Sequence, residues 1–383
     1  MKRFFLILMV LFNFLLAKEY VITKYIEDKP IINITFSGPS QVKKILDMDI
    51  KVLDHFEINQ NAKYSFDFNY NKNTKTLKVI YKKDNQPFLI KKYRSSSYAY
   101  FPFLVHRAVY DINEYFKLPS AKFLIRKVIY SLLTAPKEAS IYLSDYTLSY
   151  KKRIISGGLN IFPKWADEKQ SRIYFTKYER GPVLYEYNLF TGKRKKILSS
   201  NGLLIVSDVK GDKLLLTMAP EGQPDVYLMD LTNKTIQRIT KYPGIDVNGK
   251  FWGDKIVFIS DRYGQPYVFE KNLKTGEIKR VLYHGKNQVG VDAFKDYLVI
   301  STRETANAFK PNTFNLFLVN ANDDSLKRLT MKGQNSYPNF SVDGSSIMFI
   351  KRENFASKIG IIRLGENKVF YYPLSKMLQS FDW

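Results

Sequence analysis

Gly222-Gln-Pro-Asp-Val-Tyr-Leu-Met-Asp-Leu231 returns as Gly264-Gln-Pro-Tyr-Val-Phe-Glu-Lys-Asn-Leu273, an offset of 42 residues. The same slot recurs as Ser140-Ile-Tyr-Leu-Ser-Asp-Tyr146, Val183-Leu-Tyr-Glu-Tyr-Asn-Leu189, Asn315-Leu-Phe-Leu-Val-Asn-Ala321 and Lys358-Ile-Gly-Ile-Ile-Arg-Leu364. The slot centres, residues 142, 185, 227, 269, 317 and 360, lie 43, 42, 42, 48 and 43 residues apart. A fixed period of this length means that one supersecondary unit is copied along the chain. A second apolar run precedes each slot: Lys127-Val-Ile-Tyr130, Arg172-Ile-Tyr-Phe-Thr176, Lys213-Leu-Leu-Leu-Thr217, Lys255-Ile-Val-Phe-Ile-Ser260, Tyr297-Leu-Val-Ile-Ser301 and Ser346-Ile-Met-Phe-Ile350. A turn such as Phe190-Thr-Gly192, Thr232-Asn-Lys234 or Lys274-Thr-Gly-Glu277 follows the slot. A third run then ends in Lys196-Ile-Leu198, Arg238-Ile-Thr240, Arg280-Val-Leu282 or Arg328-Leu-Thr330, and a fourth opens the next unit, clearest in Asn335-Ser-Tyr-Pro-Asn-Phe-Ser-Val-Asp-Gly344. Short runs rich in β-branched and aromatic residues, punctuated by turn residues, read as antiparallel strands.

Four strands per unit in six units predict an all-β, six-bladed β-propeller over residues 122–383. An open solenoid would carry polar caps at its ends, and none is visible in the sequence. The first unit, beginning near Phe123, lacks the opening strand that units two and six show as Ile161-Phe-Pro-Lys-Trp165 and Tyr337-Pro-Asn-Phe340. Leu378-Gln-Ser-Phe-Asp-Trp383 has the length and the aromatic residue to supply it. The propeller is therefore expected to be closed by the C-terminal strand, which removes two free sheet edges.

Residues 18–121 do not repeat and read as a small α/β N-terminal domain. Its strand candidates are Glu19–Thr23, Ile31–Phe36, Tyr64–Tyr70 and Thr76–Tyr81, and its helix candidates Pro39–Phe56 and Pro102–Phe116. Residues 1–17 have the basic start, Lys2 and Arg3, the apolar run Phe4–Leu16 and the small Ala17 of a secretory signal peptide cut after Ala17. Such a run rises about 20 Å as a helix, short of a bilayer's roughly 30 Å. The mature chain is thus expected in the periplasm.

The composition excludes much chemistry. With no Cys there are no disulfides, thiolate metal sites or cysteine nucleophiles. The three His, at 55, 106 and 284, are scattered, and His106 sits among apolar residues on a helix pattern, the setting of a structural histidine. No Gly-x-Ser-x-Gly elbow occurs and no peptidase domain follows the repeats. Asp246-Val-Asn-Gly-Lys250 with Asp254, and Asn322-Asp-Asp324, read as hairpin turns, since neither completes an EF-hand loop. No catalytic, metal-ligating or cofactor-binding residue is assigned, although the central channel leaves room for a cation or small ligand. The formal charge of +24 falls to +22 once Lys2 and Arg3 are removed. It is spread over strand ends and turns, as in Lys151-Lys-Arg153 and Lys193-Arg-Lys-Lys196. Export argues against nucleic acid as its partner, leaving a solvated basic surface or a docking surface for acidic partners.

Together the leader, the α/β domain and the repeats resemble the TolB family of the bacterial Tol–Pal envelope system. The blades of that family read roughly Asn-x-x-Pro-x-Trp/Phe-Ser-x-Asp-Gly, then Ser-Asp-Arg-x-Gly-x-Pro, then Arg-Leu-Thr. Here Asn335–Gly344, Phe258-Ile-Ser-Asp-Arg-Tyr-Gly-Gln-Pro266, and Arg238-Ile-Thr240 with Arg328-Leu-Thr330 carry those parts. The helix around His106-Arg-Ala-Val-Tyr-Asp111 looks like the helix that closes the family's front domain. Two features depart from the pattern: residues 57–64 leave no room for the family's further helix and strand. Units three and five open with Leu203-Leu-Ile-Val-Ser-Asp208 and Val289-Gly-Val-Asp-Ala293.

The resemblance implies a monomeric, non-catalytic scaffold without cofactor. Its propeller would dock the peptidoglycan-associated lipoprotein Pal and its N-terminal segment would answer to TolA, supporting outer-membrane integrity and constriction at division. Carried over by position, Lys18, Glu19, Tyr20, Val21, Ile22 and Thr23 would form the switch segment. Loops between second and third strands, and between units, would meet Pal: Glu179 and Arg180, Glu221 and Gln223, Asp261, Arg262, Tyr263 and Gln265, and Arg352 and Glu353. Two alternatives stand beside it: an exported propeller that binds peptidoglycan or another anionic glycan directly, and a propeller hydrolase.

Overall fold

The computed structural model describes residues 26–307, 309, 311–354 and 356–383. The leader and the segment Lys18–Thr23 lie outside the described residues.

The front domain runs β1 (Ile31–Ser37), α1 (Ser40–Leu53), β2 (Glu57–Ile58), β3 (Tyr64–Asn71), β4 (Thr76–Lys83), β5 (Gln86–Arg94) and α2 (Phe101–Tyr115). Its sheet has the order β2-β1-β3-β4-β5. Period-two alternation puts Phe66, Phe68 and Tyr70 of β3 and Leu77, Val79 and Tyr81 of β4 on the buried face. Val42, Ile45 and Leu46 of α1 and Val105, Val109 and Ile112 of α2 belong to the same core. Pro39 starts α1, and Asp54, at φ 54°, turns the chain out of it. Two strands were absent from the sequence expectation. β5 is an exposed edge without clear alternation, and its geometry comes from pairing with β4 rather than from its own pattern. β2 is a two-residue strand and occupies the short stretch that departs from the family pattern.

The repeats pair in fours. Unit one has β6 (Val128–Ala135), β7 (Glu138–Ser144) and β8 (Lys151–Ile155); unit two β9 (Leu159–Trp165), β10 (Arg172–Tyr178), β11 (Pro182–Asn188) and β12 (Arg194–Ser199). Unit three has β13 (Leu204–Lys210), β14 (Lys213–Met218), β15 (Asp225–Asp230) and β16 (Thr235–Arg238); unit four β17 (Asp246–Trp252), β18 (Lys255–Ser260), β19 (Tyr267–Asn272) and β20 (Ile278–Arg280). Unit five has β21 (Lys286–Phe294), β22 (Tyr297–Arg303), β23 (Phe314–Asn320) and β24 (Leu326–Arg328); unit six β25 (Gln334–Phe340), β26 (Ser346–Glu353), β27 (Ala356–Arg363) and β28 (Lys368–Leu374). The last strand, β29 (Leu378–Asp382), pairs antiparallel with β6, with Phe381 opposite Tyr130. Adjacent units bury their sheets against each other. Tyr174 and Leu184 of unit two share a cluster with Leu204, Leu214 and Leu216 of unit three, and Val257 and Val268 of unit four one with Leu298 and Ile300 of unit five. The result is a β-propeller with a small α/β domain in front of it.

Antiparallel pairing in chain order gives the propeller two distinct faces. Turns between first and second and between third and fourth strands emerge on one face; turns between second and third strands, and the links between units, emerge on the other. The front domain sits on the first face, over units one and six. His106 of α2 is fully buried between two carboxylates: its Nδ1–H meets both oxygens of Asp49 of α1 at 2.9 Å, and Nε2–H meets Asp145 Oδ2, in the third turn of unit one, at 3.2 Å. The Tyr146 hydroxyl donates to the same Asp49 at 2.5 Å. Burial alone would push the His106 pKa down, but the Asp49 charge and the bonds to both carboxylates outweigh it and hold the imidazole up at about 9. Burial raises Asp49 and is only partly offset by His106, whereas the bond from His106 takes Asp145 below its usual range despite burial. Further seam contacts run from His55 to Asn113 (2.6 Å) and Glu366 (3.0 Å), and from the Ser120 hydroxyl to Asp343 Oδ2 (2.6 Å).

A histidine whose folded pKa lies above its unfolded value of about 6.5 contributes stability that is complete below that value and is lost as pH rises through the folded one. Denaturant unfolding of the wild-type chain should therefore weaken between pH 6.5 and about 9 by up to roughly 3 kcal/mol. His106→Gln should be less stable at pH 6 and should lose most of that alkaline slope. A wild-type curve flat across this window would show that His106 is neutral in the fold.

Candidate docking face

The strands β29, β9, β13, β17, β21 and β25 line a central cavity of about 310 Å³, with Phe162, Leu203, Ile205, Val247, Val289 and Tyr337 among its walls. At the same relative position, two residues beyond Ser380, Phe162, Val206, Asn248, Gly290 and Tyr337, these strands carry Asp382, Lys164, Asp208, Lys250, Asp292 and Asn339. Carboxylate and cation alternate through the first five. Lys164 Nζ bonds Asp382 (2.7 Å) and Lys250 Nζ bonds Asp292 (3.1 Å). Each carboxylate also accepts a backbone N–H from the next inner strand: Trp165 to Asp382 (2.8 Å), Phe251 to Asp208 (2.9 Å) and Phe340 to Asp292 (2.8 Å). Burial opposes the charge on Lys164, but Asp382, Asp208 and Asp292 together hold its pKa above the usual lysine value. Burial pushes Asp208 up, with Lys250 and Lys164 opposing it. This belt ties neighbouring units together electrostatically and leaves the apolar walls facing the opening.

The second face, away from the front domain, collects exposed apolar side chains. Tyr178, Tyr263 and Phe309 stand in or beside turns between second and third strands; Ile245, Tyr283 and Met331 stand on links between units, and Val289 and Tyr337 on the inner strands below them. Contiguous exposed apolar groups mark interaction surfaces more often than scattered ones.

The sequence-derived loop residues divide into two kinds on this face. Arg180, Glu221, Tyr263 and Gln265 are exposed. Tyr263 rests its ring edge on Phe269 at 5.4 Å. Glu179 accepts the Tyr185 hydroxyl (3.0 Å) and stays accessible. The others serve the propeller itself. The Arg262 guanidinium pairs with buried Asp246 (3.0 Å) and lies over the rings of Tyr242, Phe258 and Phe269. Asp261 Oδ1 accepts the Ile245 N–H (2.8 Å), its carbonyl accepts Gly264 N–H (2.7 Å), and Gly264 has the φ of +77° that this turn requires. The Gln223 side-chain amide donates to the Gly244 carbonyl. Arg352 and Glu353 belong to the end of β26 rather than to the turn, and Glu353 pairs with Lys358 (2.9 Å). Sequence reasoning missed the inner belt and most of the apolar prongs. His55 and His106 lie at the domain seam, and His284 packs on Phe317 at 4.6 Å.

The fold thus defines a class: a β-propeller that carries an α/β domain on one face and keeps the other face open. The TolB beta propeller domain matches residues 123–365. The Tol-Pal system protein TolB of Wolinella succinogenes is 40% identical over 374 residues, covering 90% of this chain and 88% of that protein. The protein of the same name from Campylobacter jejuni strain RM1221 is 39% identical over 348 residues, covering 88% of this chain and 86% of its own. The crystal structure of TolB from Acinetobacter baumannii superposes with a TM-score of 0.76 at 18% identity, covering 93% of this chain and 96% of that one, a likeness of fold. The chain belongs to the TolB family of Tol-Pal system proteins.

Removal of the Arg262 guanidinium would leave the buried Asp246 carboxylate without its ion pair. Arg262→Ala should therefore cost about 3 kcal/mol in urea unfolding, while Arg180→Ala should change stability by less than about 0.5 kcal/mol. An Arg262→Ala chain as stable as wild type would contradict the assignment of Arg262 to the scaffold.

Proposed function

We propose that this protein is a non-catalytic periplasmic scaffold, a six-bladed ring closed by its own C-terminal strand. Its open face docks Pal, and its N-terminal segment Lys18–Thr23 engages TolA, so that it supports envelope integrity and constriction at division. The reading is carried by the asymmetry of the two faces: the front domain covers one over units one and six, while the other is uncovered and carries Tyr178, Ile245, Tyr263, Tyr283, Phe309 and Met331 exposed on its turns and links. The pairing of β29 with β6 supports closure, because it gives unit one the inner strand that its own stretch of sequence lacks. Family membership supports the choice of partners. A short extended segment such as Tyr20-Val-Ile-Thr23 is suited to adding to a partner's sheet edge. Cleavage after Ala17 would place that segment at the mature N-terminus.

Calorimetric titration of residues 18–383 with the periplasmic domain of Pal from the same bacterium tests the reading. Saturable binding with Kd at or below about 1 μM is expected, worth about 8 kcal/mol. Higher salt should weaken it if the basic surface contributes, and deletion of residues 18–23 should shift the affinity. Absence of saturable binding at both low and high salt would remove Pal as the partner. Binding to purified peptidoglycan in its place would favour the glycan-binding propeller.

A further inference from the structure

Unit five is longer than its neighbours: 48 residues separate its slot from that of unit four, against 42 or 43 elsewhere. The structure puts much of the extra length in the connection between β22, which ends at Arg303, and β23, which begins at Phe314, on the open face; residues 304–307, 309 and 311–313 of it are among the described residues. Most hairpin connections need only 2–5 residues. The base of this turn is held by its own hydrogen bonds. Glu304 N–H donates to the Thr313 carbonyl (3.0 Å) and Thr313 N–H to Thr305 Oγ1 (2.8 Å). Asn312 Oδ1 accepts both Asn307 N–H (2.7 Å) and the Thr305 hydroxyl (3.2 Å). Arg328 and the Asn315 amide both donate to the Glu304 carboxylate, which fixes the turn to the sheet.

At the tip stands Phe309, 101% exposed, the most exposed large apolar side chain among the described residues. The links on either side of unit five bring up two more, Tyr283 and Met331, both about three-quarters exposed. Their neighbours Lys286, Arg303 and Lys332 make no ion pair with a carboxylate among the described residues. Three apolar groups in a frame of free cations have a definite complement.

We propose that unit five is the anchor of the docking face. Phe309, flanked by Tyr283 and Met331, would enter an apolar pocket on the partner protein that is rimmed by carboxylates facing Lys286, Arg303 and Lys332. This rests on the proposed docking of Pal and names where its energy is concentrated. A phenylalanine exposed in the free protein gains its whole transfer free energy on docking. A turn already ordered at its base gives up little entropy when it is seized. Interface energy concentrates in a few such side chains.

The test uses the full mature chain, Phe309→Ala, and Phe190→Ala as control, each titrated with the periplasmic domain of Pal. Phe190 is exposed in the third turn of unit two, on the face that carries the front domain. Both variants should unfold at the wild-type temperature, since neither side chain is buried. Phe309→Ala should weaken binding roughly 10- to 100-fold, Phe309→Leu should recover part of the loss, and Phe190→Ala should stay within about twofold of wild type. Phe309→Ala binding within twofold of a wild-type chain that binds Pal would overturn the anchor and leave the docking reading intact. Equal losses in Phe309→Ala and Phe190→Ala would overturn it too. A wild-type chain that does not bind Pal would sink both readings together.

Discussion

The belt of alternating charges on the inner strands is the constraint on which the propeller depends. A carboxylate there accepts the backbone N–H of a neighbouring inner strand, so adjacent units are joined at their inner edges. Lys164 and Lys250 stand between these carboxylates, largely desolvated, and each lysine and its paired carboxylate offset one another's burial cost. The arrangement reaches the chain terminus. Asp382 bonds Lys164, Trp165 and Asn339, which draws the last strand into contact with units two and six. Trp383 adds an indole N–H to the Phe340 carbonyl at 3.1 Å. Five charged side chains thus hold the inner strands in one register, and the sheets fan outward from them.

From that inner ring the division of labour between faces follows. On one face the turns of units one and six meet the front domain: Asp145, Asp343 and Glu366 each come from a first or third turn and each bonds a front-domain group. A charge-assisted clamp on His106 and a shared apolar core that includes Phe123, Tyr146, Tyr372 and Trp383 make the two domains one packed body. The other face has no such cover, and its apolar groups meet solvent.

Much of this was legible in the sequence, and the failures have physical causes. Repeats announce themselves because every unit must bury both sheet faces with the same spacing, as Leu214, Leu216 and their counterparts show. The strand β5 was invisible because an edge strand can expose both faces and needs no alternation. Arg262 and Asp261 looked like surface docking groups, yet a turn arginine can fold back over Phe258 and Phe269, and sequence does not show which way it turns. The belt was hidden for another reason: Asp208 and Asp292 were visible inside their strands, but their partners lie some 43 or 48 residues away. Phe309 had a signal in the 48-residue spacing, which revealed an insertion without saying which turn held it.

Hydrogen exchange, followed by mass spectrometry on the mature chain alone and with the periplasmic domain of Pal, tests the two-faced account most directly. The account predicts slowed exchange in the turns 260–267 and 303–314 and in the links 282–286 and 330–334, with the turns 188–194 and 230–235 unchanged. Protection confined to the turns on the front-domain face, with the open face exchanging as in the free protein, would contradict it.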